Sequence, residues 1–448
     1  MKKLLLFLLV IGIISAALPG KRGTFKTELK YHWKAKIGNT SYRTIPVESN
    51  GLIYIGSNGS HFRDYAIDDG NGVFALSASN GAQKIHFAND QFGDMDVNGI
   101  LSYDGKFYFG NDNEEFLCVD ALGAIQWRIP ASGDIEHRPV QFNSGTEKTI
   151  AFATETGQIV AVDAKTGKER WSYYHQDFEG WKPGDNRTVF KVKMHFTEAN
   201  IFFNEPSLVD LNGDAVQDLV YNTNWGGFIA ISGNTGKMLW SIDREEESGF
   251  VSNMGREKPL IIGEGSKAQL MVMQWNRNDG SKDCIAFYNA KGKLIKRINA
   301  NSDLGNSLIS QTDGVFFTTT SILVPGKNPD DLKIIAIDSA FRKLDEEKIY
   351  PRYGDGQVAL QKIRYNNEDC AVVLFQYDFL QNRGQSPLML IGLNSGKVHV
   401  KAYLPASSEF TPVLRDFNKD GKIDALIGCY DGFLYCFDYG ITTDHLID

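Results

Sequence analysis

Several features that would assign this chain to a class are scarce or absent. It has five cysteines among 448 residues, no two of them adjacent, and their spacing fits neither a disulfide framework nor a zinc site. Apolar surroundings such as those of Cys118 favour buried small hydrophobic residues, while a pair between Cys429 and Cys436 is an open alternative. Lysine and arginine form no run, which argues against a nucleic-acid-binding protein.

Long apolar runs are also lacking, apart from one at the N-terminus. Lys2 and Lys3 precede the apolar residues 4–14, and small residues follow at 15–17. This order is typical of a secretory signal peptide, predicted here over residues 1–17. A membrane anchor is the alternative, but the run is shorter than the roughly 20 apolar residues that cross a bilayer. No cysteine lies at the cleavage site to carry a lipid, so a mature chain 18–448 without a transmembrane segment is predicted to be periplasmic or secreted.

Glycine, in contrast, is abundant, with 44 residues, and it marks an internal repeat. In a typical copy, an apolar strand is followed by a small or acidic residue, a short turn that ends in glycine, and a second strand. At 159–171, Asp163 can accept backbone N–H bonds within the turn, and Gly167 supplies a positive φ. The copies centre on Gly81, Gly123, Gly167, Gly236, Gly292, Phe341, Gly396 and Gly440.

A second pair of strands precedes each turn, often after a proline, as at Pro46, Pro139, Pro206 and Pro412. Proline cannot join a central ladder, so it marks a strand start or edge. The fold class is therefore predicted as all-β, a β-propeller of about eight four-stranded blades, or seven if the weak copy at Phe341 is not a blade. Residues 18–448 would form one domain, with an insertion at about 174–205.

Tryptophan has a fixed place in the repeat. Trp127, Trp171 and Trp240 each stand four residues after the turn glycine, where a flat ring can pack between neighbouring sheets. The last copy ends without such a strand, whereas segment 29–38 near the N-terminus contains Trp33. We therefore expect the N-terminal strand to complete the last blade and to remove an open sheet edge.

The repeats resemble those of the quinoprotein (PQQ-type) β-propeller family, whose blade signature reads approximately A-x-D-x-x-T-G-x-x-x-W. Five residues match it one for one: Ala161, Asp163, Thr166, Gly167 and Trp171. The resemblance implies a radial array of four-stranded antiparallel sheets around a channel. Dehydrogenases of that family carry adjacent cysteines near the cofactor, which this sequence lacks, so we expect its non-enzymatic branch and no PQQ.

Two acidic segments stand apart from the repeat. Both read D-x-N-x-D-x-x-x-D, in which alternate residues of a tight loop can offer Ca²⁺ the oxygen ligands it requires. The predicted ligands are Asp210, Asn212, Asp214, Asp218 and the carbonyl of Val216 in one segment, and Asp416, Asn418, Asp420, Asp424 and the carbonyl of Lys422 in the other. The segments resemble the calcium loops of FG-GAP (integrin-α-type) propeller repeats, and an Asx-rich turn without metal is the alternative.

No catalytic constellation stands out, so the sequence assigns no catalytic residue and leaves enzymatic activity open. We expect a calcium-stabilised binding or scaffold module for a protein or glycan, with Trp181 in the insertion as a candidate contact. The alternatives are a PQQ-dependent oxidoreductase, another extracytoplasmic propeller enzyme, and a cell-surface adhesion protein. A solvated rim is expected for His137, Arg138, Glu205 and Glu409, and a channel-lining role is the alternative.

Overall fold

Short antiparallel strands dominate the described chain. The computed structural model describes residues 29–59, 70–87, 95–144, 147–174, 186–189, 192–195, 202, 204–223, 227–242, 250–252, 258–276, 284–299, 311–312, 315–317, 321–325, 332–336, 353–377, 385–393 and 398–447. Within these ranges lie eight sheets of four or five strands, one separate hairpin, and single-turn 3₁₀ helices at Gly265–Lys267 and Thr443–His445. None of the helices described is long and apolar enough to cross a membrane.

The first three sheets follow one another along the chain as four-stranded meanders, after a first strand, β1 (Tyr31–Lys36), that does not join them. Sheet 1 consists of β2 (Val47–Ser49), β3 (Leu52–Asn58), β4 (Asn71–Ser77) and β5 (Gln83–Phe87). Sheet 2 consists of β6 (Leu101–Tyr103), β7 (Lys106–Asn111), β8 (Glu115–Asp120) and β9 (Ile125–Pro130). Sheet 3 consists of β10 (Val140–Ser144), β11 (Glu147–Ala153), β12 (Gln158–Asp163) and β13 (Glu169–Tyr174).

The middle of the chain adds a hairpin and three more sheets. The hairpin pairs β14 (Asn186–Val189) with β15 (Val192–His195). Sheet 4 consists of β16 (Ser207–Val209), β17 (Asp218–Asn222), β18 (Phe228–Ile231) and β19 (Met238–Ile242). Sheet 5 consists of β20 (Phe250–Ser252), β21 (Leu260–Ile262), β22 (Gln269–Asn276), β23 (Cys284–Asn289) and β24 (Leu294–Asn299). Sheet 6 consists of β25 (Gln311–Thr312), β26 (Val315–Phe317), β27 (Ser321–Pro325) and β28 (Leu332–Ala336).

The last two sheets include strands from the chain ends. Sheet 7 consists of β29 (Tyr353–Tyr365), β30 (Glu368–Tyr377), β31 (Pro387–Gly392), β32 (Val398–Tyr403) and the C-terminal β36 (Leu446–Ile447). Sheet 8 consists of β33 (Val413–Arg415), β34 (Lys422–Gly428), β35 (Phe433–Thr442) and β1. The predicted all-β propeller fold is confirmed. The number of blades, eight or seven, stays a prediction, and the repeat copy at Phe341, the signal peptide at 1–17 and Trp181 lie outside the described residues.

The hydrophobic core lies between neighbouring sheets. Central strands such as β8 and β12 are buried along four consecutive residues because both of their faces are covered. This explains their continuous apolar sequences, which a half-exposed strand would not have. Phe116 of sheet 2 stacks on Phe152 of sheet 3 with ring centroids 4.2 Å apart. All five cysteines are buried free thiols, so Cys429 and Cys436 are not paired.

The turn glycines of sheets 1 to 5 each support an aromatic ring of the preceding sheet, with sheet 8 preceding sheet 1. A Cβ built at Gly167 of sheet 3 would lie 2.7 Å from the indole of Trp127 in sheet 2. The same contact joins Trp171 to Gly236 and Trp240 to Gly292 in the following sheets. The predicted packing of tryptophan between sheets is therefore confirmed, and glycine is needed there because a flat ring occupies the space of a side chain.

The N-terminal strand closes the ring of sheets, as the sequence predicts. β1 pairs with β35 in antiparallel register, with Trp33 opposite Cys436. The indole of Trp33 lies on Gly81 of sheet 1, and its Nε1 donates to the carbonyl of Ala78 at 3.0 Å. The start of the chain thus supplies to sheet 8 the tryptophan strand that other sheets receive from their own repeat.

Candidate calcium loops and inner pocket

The first acidic segment, residues 210–218, is called loop A and joins β16 to β17 in sheet 4. Gly213 and Ala215 have φ values of 82° and 65°, so the chain curls tightly. Its side-chain oxygens face the loop's own backbone: Asp210 accepts N–H bonds from Gly213 at 2.7 Å and from Ala215 at 3.0 Å. Asp214 likewise accepts the N–H of Val216 at 2.9 Å.

Asp218 forms the buried floor of loop A. Its Oδ2 accepts the N–H of Leu211 at 2.8 Å, and its Oδ1 accepts the N–H of Gly233 at 3.2 Å. Burial, together with the charges of Asp214 and Asp210, raises the pKa of Asp218 to about 6 against the opposing effect of these two hydrogen bonds. A divalent cation in the loop would favour the ionised form of Asp218, because it would offset the negative charges of Asp210 and Asp214.

The second acidic segment, residues 416–424, is called loop B and leads from β33 into β34 of sheet 8. It has the same place between the first two strands of its sheet and nearly the same bonds. Asp416 accepts N–H bonds from Asp420 at 3.0 Å and from Gly421 at 2.9 Å, and Asp420 accepts that of Lys422 at 2.9 Å. The two segments thus share a conformation as well as a sequence pattern.

Asp424 is the buried floor of loop B and also contacts the closing strand. Its Oδ2 accepts the N–H groups of Phe417 at 2.9 Å and Asn418 at 3.3 Å. Its Oδ1 lies 3.1 Å from Nε2 of His32 in β1. Burial raises the pKa of Asp424, as it does that of Asp218. Loop B is therefore joined physically to the strand that closes the propeller.

The donor set of both loops fits Ca²⁺. Each loop contains three aspartates, one of them buried, and one asparagine, and their side chains offer hard oxygen atoms. Asn212 and Asn418 lie within the clusters, their Nδ2 atoms 3.4 Å from Asp218 Oδ1 and 3.3 Å from Asp420 Oδ2. Val216 and Lys422 contact the loops through their N–H groups. Ligation by their carbonyls stays a prediction, as does calcium itself.

An inner pocket of about 440 Å³ lies where the first strands of sheets 2 and 3 meet β16 and β21 of sheets 4 and 5. Three prolines line it, Pro139, Pro206 and Pro259, each immediately before one of these strands. In a propeller the strands that begin each sheet surround the axis, so the recurrent prolines mark this inner surface. Pro139 and Pro206 follow the strand-start pattern predicted from the sequence, and the structure adds Pro259 to them.

Charged residues that directly precede these prolines form linked ion pairs across the inner pocket. Nε of Arg138 donates to Oε2 of Glu205 at 2.7 Å, and the Lys258 ammonium contacts Oε1 of the same carboxylate. Burial alone would raise the pKa of Glu205, but the two cations lower it to about 2. Glu205 is thus a fixed anion at neutral pH.

His137 lies beside Arg138 and is only 1% exposed. Its Nδ1 lies 2.9 Å from the Arg138 carbonyl, which can only accept, so Nδ1 donates. Nε2 then accepts the N–H of Ala153 at 3.2 Å. Burial lowers the pKa of His137 to about 4. The ring is therefore neutral and both nitrogens are bonded to backbone groups.

The predicted solvated rim is wrong for two of its residues. His137 and Glu409 are buried, because the segments that lead into the first strands pack against neighbouring sheets. Arg138 and Glu205 do line the inner pocket, as an ion pair.

A second polar network lies in the lead-in segments of sheets 1, 2 and 3. Nη1 of Arg43 lies 2.7 Å from Oε2 of Glu136, which also accepts from the Asn98 amide at 2.6 Å. Oδ1 of Asn98 in turn accepts from the Ser41 hydroxyl at 3.0 Å. The sequence shows that polar residues stand a few positions before the first strand of these sheets. It does not show which of them bond to each other, because the partners come from different repeats.

Comparison with known proteins supports the repeat assignment. The family model described as outer membrane protein assembly factor BamB matches residues 93–181 and 112–315. No curated protein matches the chain.

Solved structures with the same fold include proteins with different activities. BamB from Moraxella catarrhalis is 10% identical, with a TM-score of 0.53 over 92% of this chain and 100% of that chain. Quinohemoprotein alcohol dehydrogenase from Comamonas testosteroni is 14% identical, with a TM-score of 0.56 over 93% of this chain and 77% of that one. Sqt1 from Saccharomyces cerevisiae is 11% identical, with a TM-score of 0.57 over 92% of this chain and 99% of that one. At such identities the likeness concerns the fold alone, a β-propeller, and the matched residues 93–315 contain repeats similar to those of the BamB and PQQ type.

Proposed function

We propose that this chain is an extracytoplasmic, calcium-stabilised β-propeller that acts as a binding or scaffold module for a protein or glycan. The observation that supports this most is the inner pocket, which rigid strands from sheets 2 to 5 surround. Arg138, Glu205 and Lys258 hold one another in place there before any ligand arrives. Such preorganisation favours recognition, because little side-chain freedom is lost on binding.

The same pocket is poorly suited to acid–base or nucleophilic chemistry. Glu205, with a pKa of about 2, is too weak a base at neutral pH. The hydroxyl of Ser207 donates to the carbonyl of Pro259, and both nitrogens of His137 are occupied. Within the residues described around this pocket, no serine or histidine is placed to activate a nucleophile.

A protein is the better supported ligand class. The matched family model is described as an assembly factor, a role that acts on other proteins. The pocket also offers alternating charge beside apolar residues such as Leu101 and Ile261, the combination found at protein interfaces. Calcium in loops A and B would stabilise the scaffold and take no part in recognition.

Site-specific photo-crosslinking tests the binding proposal. A photoreactive residue replaces Gln141 in the inner pocket, and a matched variant carries it at Lys165, which is exposed in the turn of sheet 3. We expect discrete adducts from position 141, and Glu205→Gln should lower their yield. Mass spectrometry then shows whether the captured group is a peptide or a glycan. Equal adducts from both positions, or none from position 141, would contradict a binding role for the pocket.

A PQQ-dependent oxidoreductase is the alternative, since alcohol dehydrogenases share the fold. The cysteines argue against this alternative. Dehydrogenases of the quinoprotein family carry an adjacent cysteine pair, whereas the five cysteines of this chain are separate and unpaired. Protein reconstituted with calcium and PQQ is assayed for dye reduction with alcohols and sugars. We expect no turnover above the cofactor alone, and robust turnover would replace the binding proposal with an enzymatic one.

A further inference from the structure

In sheets 3 and 7, three neighbouring positions surround the turn that leads into the fourth strand of the meander, and their residues can be compared. In sheet 3 they are Thr149 on β11, Asp163 at the end of β12, and Arg170 in the bulge of β13. Thr149 is directly opposite Asp163, and Nη2 of Arg170 donates to Asp163 Oδ2 at 2.7 Å. This ion pair ties the outer strand to the turn.

Sheet 7 has different residues at all three positions. Cys370 lies opposite Gly392, so these residues replace Thr149 and Asp163. An equivalent backbone hydrogen bond supports this alignment of the two sheets. In sheet 7 the N–H of Leu393 donates to the Asp369 carbonyl, and in sheet 3 the N–H of Ala164 donates to the Lys148 carbonyl. The strand bulge after Leu390 then places His399 where sheet 3 has Arg170.

A carboxylate from the first residue of β30 fills the space that the missing aspartate would occupy. A Cβ at Gly392 would lie 2.3 Å from Oε2 of Glu368, so the glycine makes room for this group. Oε2 of Glu368 lies 3.1 Å from Nε2 of His399, and the Cys370 thiol donates to the Glu368 carbonyl at 3.5 Å. The ligand atoms of Glu368, Cys370 and His399 all lie within 4.8 Å of one another.

We propose that Glu368, Cys370 and His399 form a three-ligand binding site for a zinc ion. Thiolate, imidazole and carboxylate are the three groups that zinc takes in proteins, and ligand atoms at this separation can approach a common tetrahedral ion. Binding replaces the thiol proton and any proton on the imidazole, which pass to solvent, and involves no change of redox state. The all-oxygen loops A and B suit Ca²⁺, so the two kinds of site differ in metal preference.

The site is closed on one side and reachable on the other. Cys370 is fully buried, whereas the side chains of Glu368 and His399 are 14% and 7% exposed. Solvent therefore reaches the carboxylate and the imidazole, and an ion would meet these two groups before the buried sulfur. The fourth position of a tetrahedral ion remains for water or another ligand.

Cobalt(II) spectroscopy of the mature chain, with calcium in excess, tests this proposal. We expect a saturable thiolate-to-cobalt absorption band in the near ultraviolet that zinc abolishes by competition. Cys370→Ser should remove the band, while Cys118→Ser, which removes a buried thiol from β8, should keep it. His399→Gln leaves the thiol in place and should weaken zinc binding at least roughly tenfold in a chelator competition.

Far-ultraviolet circular dichroism of each variant separates metal loss from unfolding. Two results would overturn the proposal: a folded parent protein without the band, or a band that persists in Cys370→Ser. In either case the contact between Glu368 and His399 would be an ordinary hydrogen bond in place of the pair of Asp163 and Arg170.

Discussion

At the scale of single residues, the turn glycines have two separate reasons to be glycine. Gly167 has a φ of 70°, and a Cβ there would also collide with the ring of Trp127. The sequence pattern predicts the first reason, because turn chemistry is local. The second depends on a tryptophan from another repeat, which only the arrangement of the sheets shows.

Gly167→Ala separates these two reasons. We expect a loss of about 2–4 kcal/mol in the free energy of unfolding, from the left-handed backbone and the displaced indole together. Gly105→Ala is the matched control, since Gly105 has a φ of 71° with nothing within 4 Å of its Cβ position. Gly105→Ala should lower the free energy of unfolding by only about 1–2 kcal/mol. Urea unfolding measures both, and equal losses would mean that the tryptophan contact adds nothing.

His137 predicts a loss of stability in acid. Its pKa is about 4 in the folded chain against an ordinary value of 6.5, so the folded state favours the neutral ring. The resulting stability is fully present above pH 6.5 and is lost as the pH falls toward 4. The stability advantage of the parent over His137→Gln should therefore shrink by about 3 kcal/mol across this range. Denaturant unfolding at several pH values checks this, and an advantage of the parent that does not change with pH would contradict the prediction.

At the scale of elements, loops A and B are the clearest case in which a local pattern predicts a conformation. Their alternating Asp and Asn residues bond the backbone of the same loop in matching ways. Because these contacts span a few residues, the sequence is sufficient to identify them. The contact from His32 to loop B could not be predicted, because β1 lies at the other end of the chain.

Calcium removal should destabilise the protein through these elements. When the calcium concentration is roughly a hundredfold above the dissociation constant, each occupied site adds about 2.7 kcal/mol to the free energy of unfolding. Asp214→Asn and Asp420→Asn should each reduce the gain, while Asp104→Asn in an exposed turn of sheet 2 should leave it unchanged. Thermal unfolding with calcium or EDTA measures the effect. An unchanged melting temperature in EDTA, with no bound metal, would identify both loops as ordinary Asx turns.

The calcium effect should also depend on pH in a defined direction. Without metal, the pKa of Asp218 is about 6 against an ordinary 3.8, so its contribution to stability is present below pH 3.8 and is lost as the pH rises through 6. Calcium favours the carboxylate and should restore that stability. The difference in melting temperature between calcium and EDTA should therefore be largest near neutral pH and smallest near pH 4, and the opposite trend would contradict calcium ligation by Asp218.

At the scale of the whole molecule, the repeat spacing predicts the architecture but not the inner surface. Strand pairs, turns and tryptophans recur along the chain, so the propeller fold could be identified without coordinates. Arg138, Glu205 and Lys258 lead into strands of three consecutive sheets, and they meet only when these sheets pack together. Their pairing, like that of Arg43 with Glu136, depends on contacts between repeats that no single repeat encodes.

Closure of the ring determines whether these sheets form one stable unit. Without β1, the edge of β35 would be open and the surface around Gly81 would lose the Trp33 ring. Open edges promote association between chains, and loss of a buried tryptophan costs about 3–5 kcal/mol. β1 therefore stabilises two sheets: it pairs with the edge of sheet 8, and its Trp33 packs on sheet 1.

Deletion of residues 29–38 should accordingly give a protein that is strongly destabilised and prone to aggregate. A synthetic peptide of this segment, added in trans, should restore the melting temperature in a concentration-dependent way, because it can pair with β35 and place Trp33 on Gly81. The same peptide with Trp33→Ala keeps the strand pairing but loses the indole and its bond to the Ala78 carbonyl, so it should rescue far less. Size-exclusion chromatography and thermal unfolding measure both outcomes. A truncated chain that stays monomeric and as stable as the parent would show that β1 is dispensable, and equal rescue by the two peptides would assign closure to backbone pairing alone.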